Sequence, residues 1–248
     1  MNPAEKILIL TPVKDARPFL DGYFHSLNAL TYPRRLLSLG FLESDSRDDT
    51  FAELQRRIRA AQRRFRRVGL WKKDFGYRIG EGTHRGAPQV QLMRRAVLGR
   101  SRNHLLFHAL DDEDWVLWLD VDVVEYPPDV IEKLLATGKQ IVHPHCVLER
   151  GGKTFDTNAW RERGKVHMDA LRGGDDLVRL DAVGGTMLLI KADIHRDGLV
   201  FPCFPYGRAS ALARPRGELD TEGLGIMARD MGHQCWGMPN LEIRHARA

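Results

Sequence analysis

Residues 114–128 read DWVLWLDVDVVEYPP, and this stretch decides the fold class. The apolar, tryptophan-rich run predicts a buried strand, which ends in Asp120-Val121-Asp122. Side chains two positions apart in an extended chain point to the same side, so both carboxylates can face one ligand. Carboxylates at the end of a buried strand are costly unless a cation or hydrogen bonds compensate their charge. Their oxygens are suitable ligands for Mg²⁺ or Mn²⁺, and such an ion can also bind a diphosphate. The alternative is a solvated turn of three acids that includes Glu125.

Strand signals alternate with helix signals along the first part of the chain. The predicted strands cover residues 6–10, 36–42, 68–75, 115–121 and 140–144, and the predicted helices cover residues 17–30, about 46–67, 89–110 and 127–136. This alternation predicts an α/β fold, a mostly parallel central sheet flanked by helices. Ligands of such sheets bind outside the carboxyl ends of the strands. The sequence places three polar segments there: Thr11-Pro12-Val13, residues 43–46 and residues 120–122.

The second half of the chain is less regular. Residues 145–176 indicate a loop or lid, residues 177–194 two short strands around Gly184-Gly185, and residues 219–231 a helix. A last strand is expected to end near His245. Because no internal repeat or interdomain linker is present, one domain covering residues 1–248 is expected.

Composition narrows the class of protein. The chain has no apolar run of about 18 residues and no signal-peptide pattern, so neither a membrane span nor secretion is expected. The three cysteines are too few and too scattered for a disulfide framework or a zinc site. These features predict a cytoplasmic protein.

A basic stretch covers residues 56–73, which hold nine Lys or Arg side chains and no acid. Leu54, just before it, and Ile58, Ala61 and Phe65 within it recur at helical spacing, so arginines occupy the remaining faces. A solvated outer face is one interpretation, and peripheral contact with an anionic membrane or a polyanionic acceptor is another. Nucleic acid is not expected, because no binding motif accompanies the charge.

Several enzyme classes lack their signatures here. The chain has no Gly-x-Gly-x-x-Gly after the first strand, no P-loop and no Gly-x-Ser-x-Gly elbow. A Rossmann dehydrogenase, a P-loop NTPase and a serine hydrolase are therefore not expected.

The candidate site residues each have a structural explanation as well as a functional one. Gly184 and Gly185 suit a tight turn or close approach to a ligand. Arg102 is either an exposed arginine on a helix or a ligand of a phosphate. Glu222 either stabilises the start of a helix or faces a cleft. His245 is either a surface residue or a ligand of Mn²⁺.

Nine segments, taken in order, resemble one known family. They are residues 11–16 (TPVKDA), 43–46 (ESDS), 100–103 (RSRN), 118–122 (WLDVD), 127–131 (PPDVI), 155–160 (FDTNAW), 180–185 (LDAVGG), 221–228 (TEGLGIMA) and 243–245 (IRH). The chain resembles the fungal mannan polymerase subunit family, the Anp1/Van1-type alpha-mannosyltransferases of glycosyltransferase family 62. This resemblance implies a GT-A nucleotide-diphospho-sugar transferase fold, GDP-mannose as donor, Mn²⁺ (or Mg²⁺) as cofactor, a glycan acceptor and transfer with retention.

The resemblance also implies roles for individual residues. Asp120, Asp122 and His245 match the metal ligands, and Asp122 is expected to be catalytic together with Glu222, an acid of the acceptor-side helix. The expected donor-binding residues are Thr11, Pro12, Val13, Asp45, Arg102, Asn103, Asp120, Gly184 and Gly185. On this basis residues 1–125 form the nucleotide-sugar-binding half and residues 126–248 the acceptor-side half.

Two other functions stay open at this point. One is a noncatalytic sugar-binding subunit of a glycosyltransferase complex, although the intact Asp120, Asp122 and His245 disfavour it. The other is a nucleotidyltransferase, whose usual glycine-rich signature is absent after the first strand.

Overall fold

The computed structural model describes residues 5–80, 82–83 and 87–247. The sequence of residues 76–89, with several glycines and a proline, predicts a loop, and residues 81 and 84–86 of that segment lie outside the described range. The strands are β1 (Ile7–Val13), β2 (Leu37–Glu43), β3 (Arg67–Lys72), β4 (Trp115–Leu119), β5 (Val123–Glu125), β6 (Ile141–Val147), β7 (Trp160–Arg161), β8 (Val166–His167), β9 (Val178–Leu180), β10 (Met187–Lys191) and β11 (Cys235–His245). The α-helices are α1 (Leu20–Ala29), α2 (Thr50–Ala61), α3 (Pro88–Ala109), α4 (Val130–Ala136), α5 (Ala192–Arg196) and α6 (Asp220–Asp230).

Nine of these strands form one sheet in the described part of the chain, in the order β3-β2-β1-β4-β10-β6-β11-β5, with β9 beside β11. Strands β3, β2, β1 and β4 are parallel, and β6 and β11 run in the same direction as β4 because antiparallel β10 lies between β4 and β6. The predicted, mostly parallel sheet is therefore confirmed. The carboxyl ends of six strands consequently meet at one edge of the sheet.

Helices cover both faces of the sheet, which explains why the central strands are apolar on both sides. One core packs α1, α2 and α4 against the sheet through residues such as Leu20, Leu54 and Leu134. The other packs α3, α5 and α6 through residues such as Leu105, Ile194 and Leu224. Continuous apolar strands are typical of a sheet buried on both faces.

Strand β11 ends at His245, where the sequence predicts the end of the last strand. Its register against β6 shifts between Met238 and Glu242, and Pro239 lies within this interval. Beyond the shift β11 pairs with β5, so that His245 lies opposite Val123. This pairing brings the last strand to the segment that follows β4, which positions the site.

Two helices differ in extent from the sequence prediction. Helix α2 ends at Ala61 instead of continuing to Arg67, because Arg67 pairs with Ser38 of β2 and begins β3. Helix α4 begins at Val130, three residues after Pro127. The predicted apolar face of α2 is confirmed, since Leu54, Ile58 and Ala61 are buried.

Candidate functional site

A cleft of about 500 Å³ opens at the edge where the parallel strands end. Its size is in the usual range for small-molecule sites. The walls come from the ends of β1, β2 and β4, the loop after β3, and α3. The cationic side chains that line it are Lys14, Arg47, Arg78, Arg94 and Arg102, and the acids are Asp15, Asp45, Asp120 and Asp122. An excess of positive side chains in a cleft favours an anionic ligand.

The two acids that end the tryptophan-rich run both line the cleft. They are not in extended chain, because β4 ends at Leu119 and a turn follows it. The N–H of Asp120 donates to the carbonyl of Thr186 at 2.9 Å, and the N–H of Val123 donates back to the carbonyl of Asp120 at 3.2 Å. Backbone hydrogen bonds therefore fix the turn that presents both carboxylates.

Asp120 keeps 29% of its side chain exposed at the cleft. The surrounding protein raises the pKa of Asp120 to about 7 by burial. The guanidinium of Arg102 opposes this rise, whereas the charges of Asp122 and Asp156 add to it. The carboxyl thus lies in a crowded acidic environment that a cation would relieve.

His245 is buried beside Asp122, with its Nε2 3.0 Å from Oδ1 of the carboxylate. Its other ring nitrogen, Nδ1, lies 2.7 Å from the carbonyl of Ala246, which can only accept, so Nδ1 carries a proton. This leaves Nε2 as the nitrogen that can bind a metal once it is deprotonated. The ring of Phe155 packs on the imidazole at 4.1 Å between centroids and restrains it.

The predicted three-residue metal set is only partly assembled. Within residues 5–80, 82–83 and 87–247, no three His, Cys, Asp or Glu side chains are grouped so that they could hold one metal ion. Asp122 and His245 are in contact, whereas the nearby guanidinium of Arg102 lies 3.7 Å from Asp120. One carboxylate oxygen and one imidazole nitrogen still form a suitable donor pair for Mn²⁺, with further positions left to oxygen atoms of a bound ligand.

Arg102 is buried in the cleft wall between two carboxylates. One terminal nitrogen lies 2.6 Å from both oxygens of Asp220, and the other lies 3.7 Å from Asp120. The guanidinium also packs over the ring of Phe201 at 5.4 Å. Arg102 therefore reaches the cleft from α3 as the sequence predicts, but with a partner on α6 that the sequence does not indicate.

The predicted nucleotide-binding segment at the end of β1 lies partly in the cleft and partly in the core. Pro12 and Val13 line the cleft. The side chain of Thr11 is fully buried behind them and shares a hydrogen bond with the hydroxyl of Tyr23. Thr11 therefore supports the strand end from the core and does not line the cleft.

Asp45 lines the cleft and also organises the loop after β3. Its carboxylate accepts hydrogen bonds from the N–H groups of Phe75 and Gly76 at 2.9 and 3.0 Å. Its backbone has a positive φ of 55°, a conformation that Asp tolerates better than most residues. The loop that it holds supplies Tyr77 and neighbouring residues to the cleft wall.

Three other predicted donor-binding residues have packing roles and are not among the cleft-lining residues. Asn103 brackets Phe201, donating to its carbonyl and accepting from its N–H, each at 2.8 Å. Gly184 and Gly185 leave room for Asp156 and Arg102. A Cβ at Gly185 would lie 2.5 Å from Arg102. The side chain of Asn103 is thus taken up by hydrogen bonds to Phe201, and the side chains of Asp156 and Arg102 fill the space beside the two glycines. These three residues therefore support the cleft wall from behind.

Asp156 is a residue that the sequence analysis did not single out. It is buried, and one carboxylate oxygen accepts the N–H groups of Gly185 and Thr186 at 2.8 and 3.1 Å. Since the carbonyl of Thr186 in turn binds the N–H of Asp120, Asp156 supports the turn that carries the acids. Its only signal in the sequence is its place in FDTNAW, one residue after Phe155.

Gly184→Ala is expected to destabilise the protein by roughly 1–3 kcal/mol. The added Cβ would lie 2.1 Å from Asp156 and 2.5 Å from His143, and Asp156 cannot move without breaking its two backbone hydrogen bonds. Thermal unfolding measures the change. Gly22→Ala is the matched control, because nothing lies within 4 Å of a Cβ in that helical position, and a gain of about 0.5–1 kcal/mol is expected there. Equal stability of the Gly184→Ala variant and the wild type would contradict this packing.

Glu222 is buried outside the residues that line the cleft. Its carboxylate lies 2.5 Å from Arg95 and 2.6 Å from Arg214, and it accepts the indole N–H of Trp160 at 2.6 Å. A carboxylate with two cationic partners and a further hydrogen bond is well compensated. An ion-pair network and a hydrogen bond therefore surround the carboxylate of Glu222, and its catalytic role stays a prediction.

Several basic side chains of the stretch form ion pairs within the protein. Arg57 pairs with Glu53 and Asp21, and Arg67 pairs with Glu113. The basic side chains of the stretch that stay exposed are Arg56, Arg59, Arg63, Arg64, Lys72 and Lys73. They leave a smaller positive surface than the sequence predicts. In the described part of the chain, no helix has the length and apolar character that a membrane crossing needs.

The chain is similar in sequence to subunits of mannan polymerase complexes. The Anp1 family model matches residues 1–172 and 164–205. The mannan polymerase complex subunit mnn9 of Schizosaccharomyces pombe is 33% identical over 97% of this chain and 80% of its own length. The mannan polymerase II complex anp1 subunit of the same organism is 31% identical over 98% of this chain and 64% of its own length, so the chain spans less than two thirds of that relative.

Solved structures share the fold at low sequence identity. A mannosyltransferase from Pyrobaculum calidifontis, solved with GDP-Man and Mn²⁺, superposes with a TM-score of 0.56 at 15% identity, over 98% of this chain and 57% of its own. The structure of GalNAc-T7 with UDP, GalNAc and Mn²⁺ gives a TM-score of 0.59 at 13% identity, over 98% and 44% of the two chains. The fold is that of GT-A glycosyltransferases, as predicted.

Proposed function

Since the chain belongs to the Anp1 family, we propose that it is a metal-dependent glycosyltransferase, a retaining alpha-mannosyltransferase that uses GDP-mannose to extend a glycan acceptor. The observation that carries this proposal is the contact of Asp122 with His245 at the carboxyl edge of a GT-A sheet. The names of the relatives support a mannan-related reaction, and the mannosyltransferase of the same fold was solved with GDP-Man and Mn²⁺.

The donor is proposed to lie along the cleft, with its nucleoside in the N-terminal half of the chain. Pro12, Val13 and the loop held by Asp45 would contact the base and ribose. Arg102 and the other cationic side chains of the cleft would bind the diphosphate, because charge-assisted hydrogen bonds to phosphate are among the strong ones. Residues 1–125 would thus form the nucleotide-sugar-binding half, and residues 126–248 the acceptor-side half.

Asp122 and His245 would hold the metal, with Asp120 in the same cleft. When bound, Mn²⁺ would neutralise charge on the diphosphate and so make its departure easier. The protein contributes by fixing the donor pair before the ligand arrives. The Ala246 carbonyl sets the tautomer of His245, and the stacked ring of Phe155 limits its rotation.

Retention requires either a nucleophile on the far face of the sugar or attack on the face from which the leaving group departs. We propose the second route, because the cleft acids nearest the turn already have other roles. An acceptor hydroxyl oxygen would form the new bond to the anomeric carbon as the bond from that carbon to the phosphate oxygen breaks, and the leaving phosphate would take the hydroxyl proton. Arg102 would stabilise the charge on that phosphate.

The His245–Asp122 pair predicts that its contribution to stability and the metal affinity of the protein change in opposite directions with pH. Burial alone would lower the pKa of His245, but the hydrogen bond and charge of Asp122 raise it overall. A raised folded-state pKa means that the pair stabilises metal-free protein fully below about pH 6.5 and loses this effect as pH rises through the folded pKa. Metal binding needs neutral imidazole and should instead strengthen as pH rises.

His245→Ala tests both signs. Without metal, the loss of melting temperature relative to wild type should be larger at about pH 5.5 than at about pH 8.5. Calorimetry should show that Mn²⁺-dependent GDP binding by the wild type becomes tighter over the same range. A melting-temperature loss that is equal at both pH values would show that His245 does not pair with Asp122 in solution.

A thermal-shift screen tests the proposed donor. Wild-type protein is titrated with GDP-mannose, GDP, UDP-glucose and UDP-N-acetylglucosamine, each with and without Mn²⁺. We expect the largest stabilisation for GDP-mannose with Mn²⁺, because a ligand that binds only the folded state raises its stability in proportion to the logarithm of its concentration over Kd. A larger shift with a UDP-sugar would contradict the donor assignment.

A noncatalytic subunit is the second candidate, because the relatives are named as subunits of complexes. Such a subunit would bind GDP-mannose in the screen and release no GDP from it. Donor turnover therefore separates the two candidates.

Peripheral contact with an anionic membrane is a further part of the proposal, carried by exposed arginines of the basic stretch. Changing Arg59, Arg63 and Arg64 to Gln should reduce co-sedimentation with phosphatidylserine vesicles, by about 1 kcal/mol of binding for each residue near the surface. The effect should weaken with salt and be absent with neutral vesicles. Wild-type sedimentation that neither salt nor these substitutions alter would favour a plain solvated face.

A further inference from the structure

Asp220, the first residue of α6, has a backbone conformation that its position does not explain. Its φ is 51°, in the left-handed region, and the residue is 2% exposed. A non-glycine residue persists there only when its surroundings impose it, and such residues concentrate at functional sites. An acid at a helix start is ordinarily explained by the helix dipole. Here, however, no side chain caps the amino end of α6.

The carboxylate of Asp220 is directed at Arg102 instead. Both of its oxygens lie 2.6 Å from one terminal nitrogen of the guanidinium, across 118 residues of sequence. Its backbone N–H donates to the carbonyl of Pro202 at 2.8 Å, which anchors the residue from behind. The side chains of Asp220 and Arg102 are both buried, with 3% and 6% exposed.

The remaining sides of the Arg102 guanidinium are also restrained. The ring of Phe201 packs on it, and Gly185 leaves only enough room for its second terminal nitrogen. That nitrogen is 3.7 Å from Asp120, at the turn that carries the acids of the cleft. The guanidinium is thus held at one end by Asp220, with its other end directed towards Asp120 and the cleft.

We propose that Asp220 is a positioning residue for the donor diphosphate, which it serves by holding Arg102 in place. This inference rests on the proposed function. Asp220 fixes the orientation of the guanidinium and neutralises part of its charge. Without that carboxylate, the guanidinium can shift between Phe201 and Gly185 towards Asp120 and form a closer ion pair, which would compete with a phosphate for the same N–H groups. The left-handed backbone of Asp220 is then the conformation that directs the carboxylate away from its own helix.

Asp220→Asn tests this role, because Asn has nearly the same volume and tolerates a positive φ. Calorimetry uses three probes: inorganic pyrophosphate with Mn²⁺, GDP with Mn²⁺, and guanosine. The affinity for pyrophosphate and for GDP should fall roughly 10- to 100-fold, the size of effect known for residues that orient metal ligands, while guanosine binding stays unchanged. Asp230→Asn, at the exposed end of the same helix, is the matched control and should change none of the three.

A purely structural role would lower the affinity for all three probes together, and that result would overturn the proposal. Unchanged pyrophosphate affinity in Asp220→Asn would overturn it as well. If Asp220→Asn alone does not fold, because it leaves Arg102 buried with one partner fewer, the comparison moves to the background of Arg102→Met. Adding Asp220→Asn there should not reduce pyrophosphate affinity further, and an additional loss would show that Asp220 does not act through Arg102.

The proposal and the proposed function fail in different ways. Wild-type protein that binds pyrophosphate with Mn²⁺ but does not turn over GDP-mannose would refute the mannosyltransferase function and leave the role of Asp220 standing. If the wild type turns over GDP-mannose and Asp220→Asn binds pyrophosphate and GDP as tightly as the wild type, only the role of Asp220 is refuted. Wild-type protein that binds neither pyrophosphate nor GDP would refute both.

Discussion

Asp122→Asn is expected to lower kcat/KM for GDP-mannose by roughly 10³-fold. At about pH 8.5, above the range in which the His245–Asp122 pair adds most stability, the folded protein should keep nearly its wild-type melting temperature. The substitution preserves shape but removes the negative charge of the carboxylate that lies 3.0 Å from Nε2 of His245, and it replaces one carboxylate oxygen with an amide nitrogen that cannot bind a metal ion. Asp122 lies in a turn at the cleft, and its backbone carbonyl still accepts the N–H of Ala246, so the core is not disturbed. Donor turnover in the presence of Mn²⁺ measures the effect, and thermal unfolding checks the fold.

The control for this substitution is Asp197→Asn, an exposed aspartate at the end of α5. It should leave both turnover and stability unchanged. Calorimetry adds a second readout, because Asp122→Asn should bind GDP equally well with and without Mn²⁺. Wild-type affinity for GDP with Mn²⁺ in the Asp122→Asn protein would remove Asp122 from the metal site.

Glu222→Gln is expected to destabilise the protein by about 3 kcal/mol, because breaking a buried ion pair leaves its partners unpaired. Arg95 would lose its carboxylate, and Arg214 would keep only Glu218, so the lower part of the usual range applies. The indole N–H of Trp160 would still find the amide oxygen. Urea unfolding at constant pH measures the loss.

Glu125→Gln is the matched control, since Glu125 also contacts two arginines but is 41% exposed in its side chain. A loss below about 1 kcal/mol is expected there. At a temperature where the Glu222→Gln protein is fully folded, its donor turnover should stay within about 10-fold of wild type, in contrast to Asp122→Asn. A turnover loss as large as that of Asp122→Asn, with unchanged stability, would show that Glu222 is catalytic.

The sheet and the position of the cleft follow from local sequence signals. Apolar runs of four or five residues, such as residues 7–10 in β1 and Trp115–Leu119 in β4, predict buried strands because they are shorter than most helices and rich in β-branched or aromatic residues. Alternation with helices then sets the direction of the strands, and polar segments after β1, β2 and β4 indicate the edge that binds a ligand. Pro12, Val13, Asp45, Asp120 and Asp122 all line the cleft for this reason.

Side-chain partners could not be predicted in the same way. A residue near a strand end faces either the cleft or the core, and the face depends on the packing of a distant helix. Thr11 faces Tyr23 of α1 and Asn103 faces Phe201, although both belong to segments that border the cleft. Asp220 meets Arg102 only because α6 packs on α3, and no local pattern encodes that contact.

The last strand combines both situations. Its apolar pattern predicts a strand before His245, but that pattern does not identify the neighbours of the strand. Strand β11 pairs with β6 on both sides of the register shift, with β9 at its start and with β5 at its end. The pairing with β5 brings His245 to the segment after β4, where the imidazole lies beside Asp122.

The rate of GDP release from GDP-mannose by the wild-type protein, with Mn²⁺ and with EDTA, tests the central claim most directly. Water can replace the acceptor hydroxyl, so slow release without acceptor is expected, and Mn²⁺ should raise its rate by at least about 10-fold. Asp122→Asn should show only the rate measured in EDTA. Faster turnover of a UDP-sugar, or GDP release from wild type no faster than from Asp122→Asn, would contradict a metal-dependent mannosyltransferase.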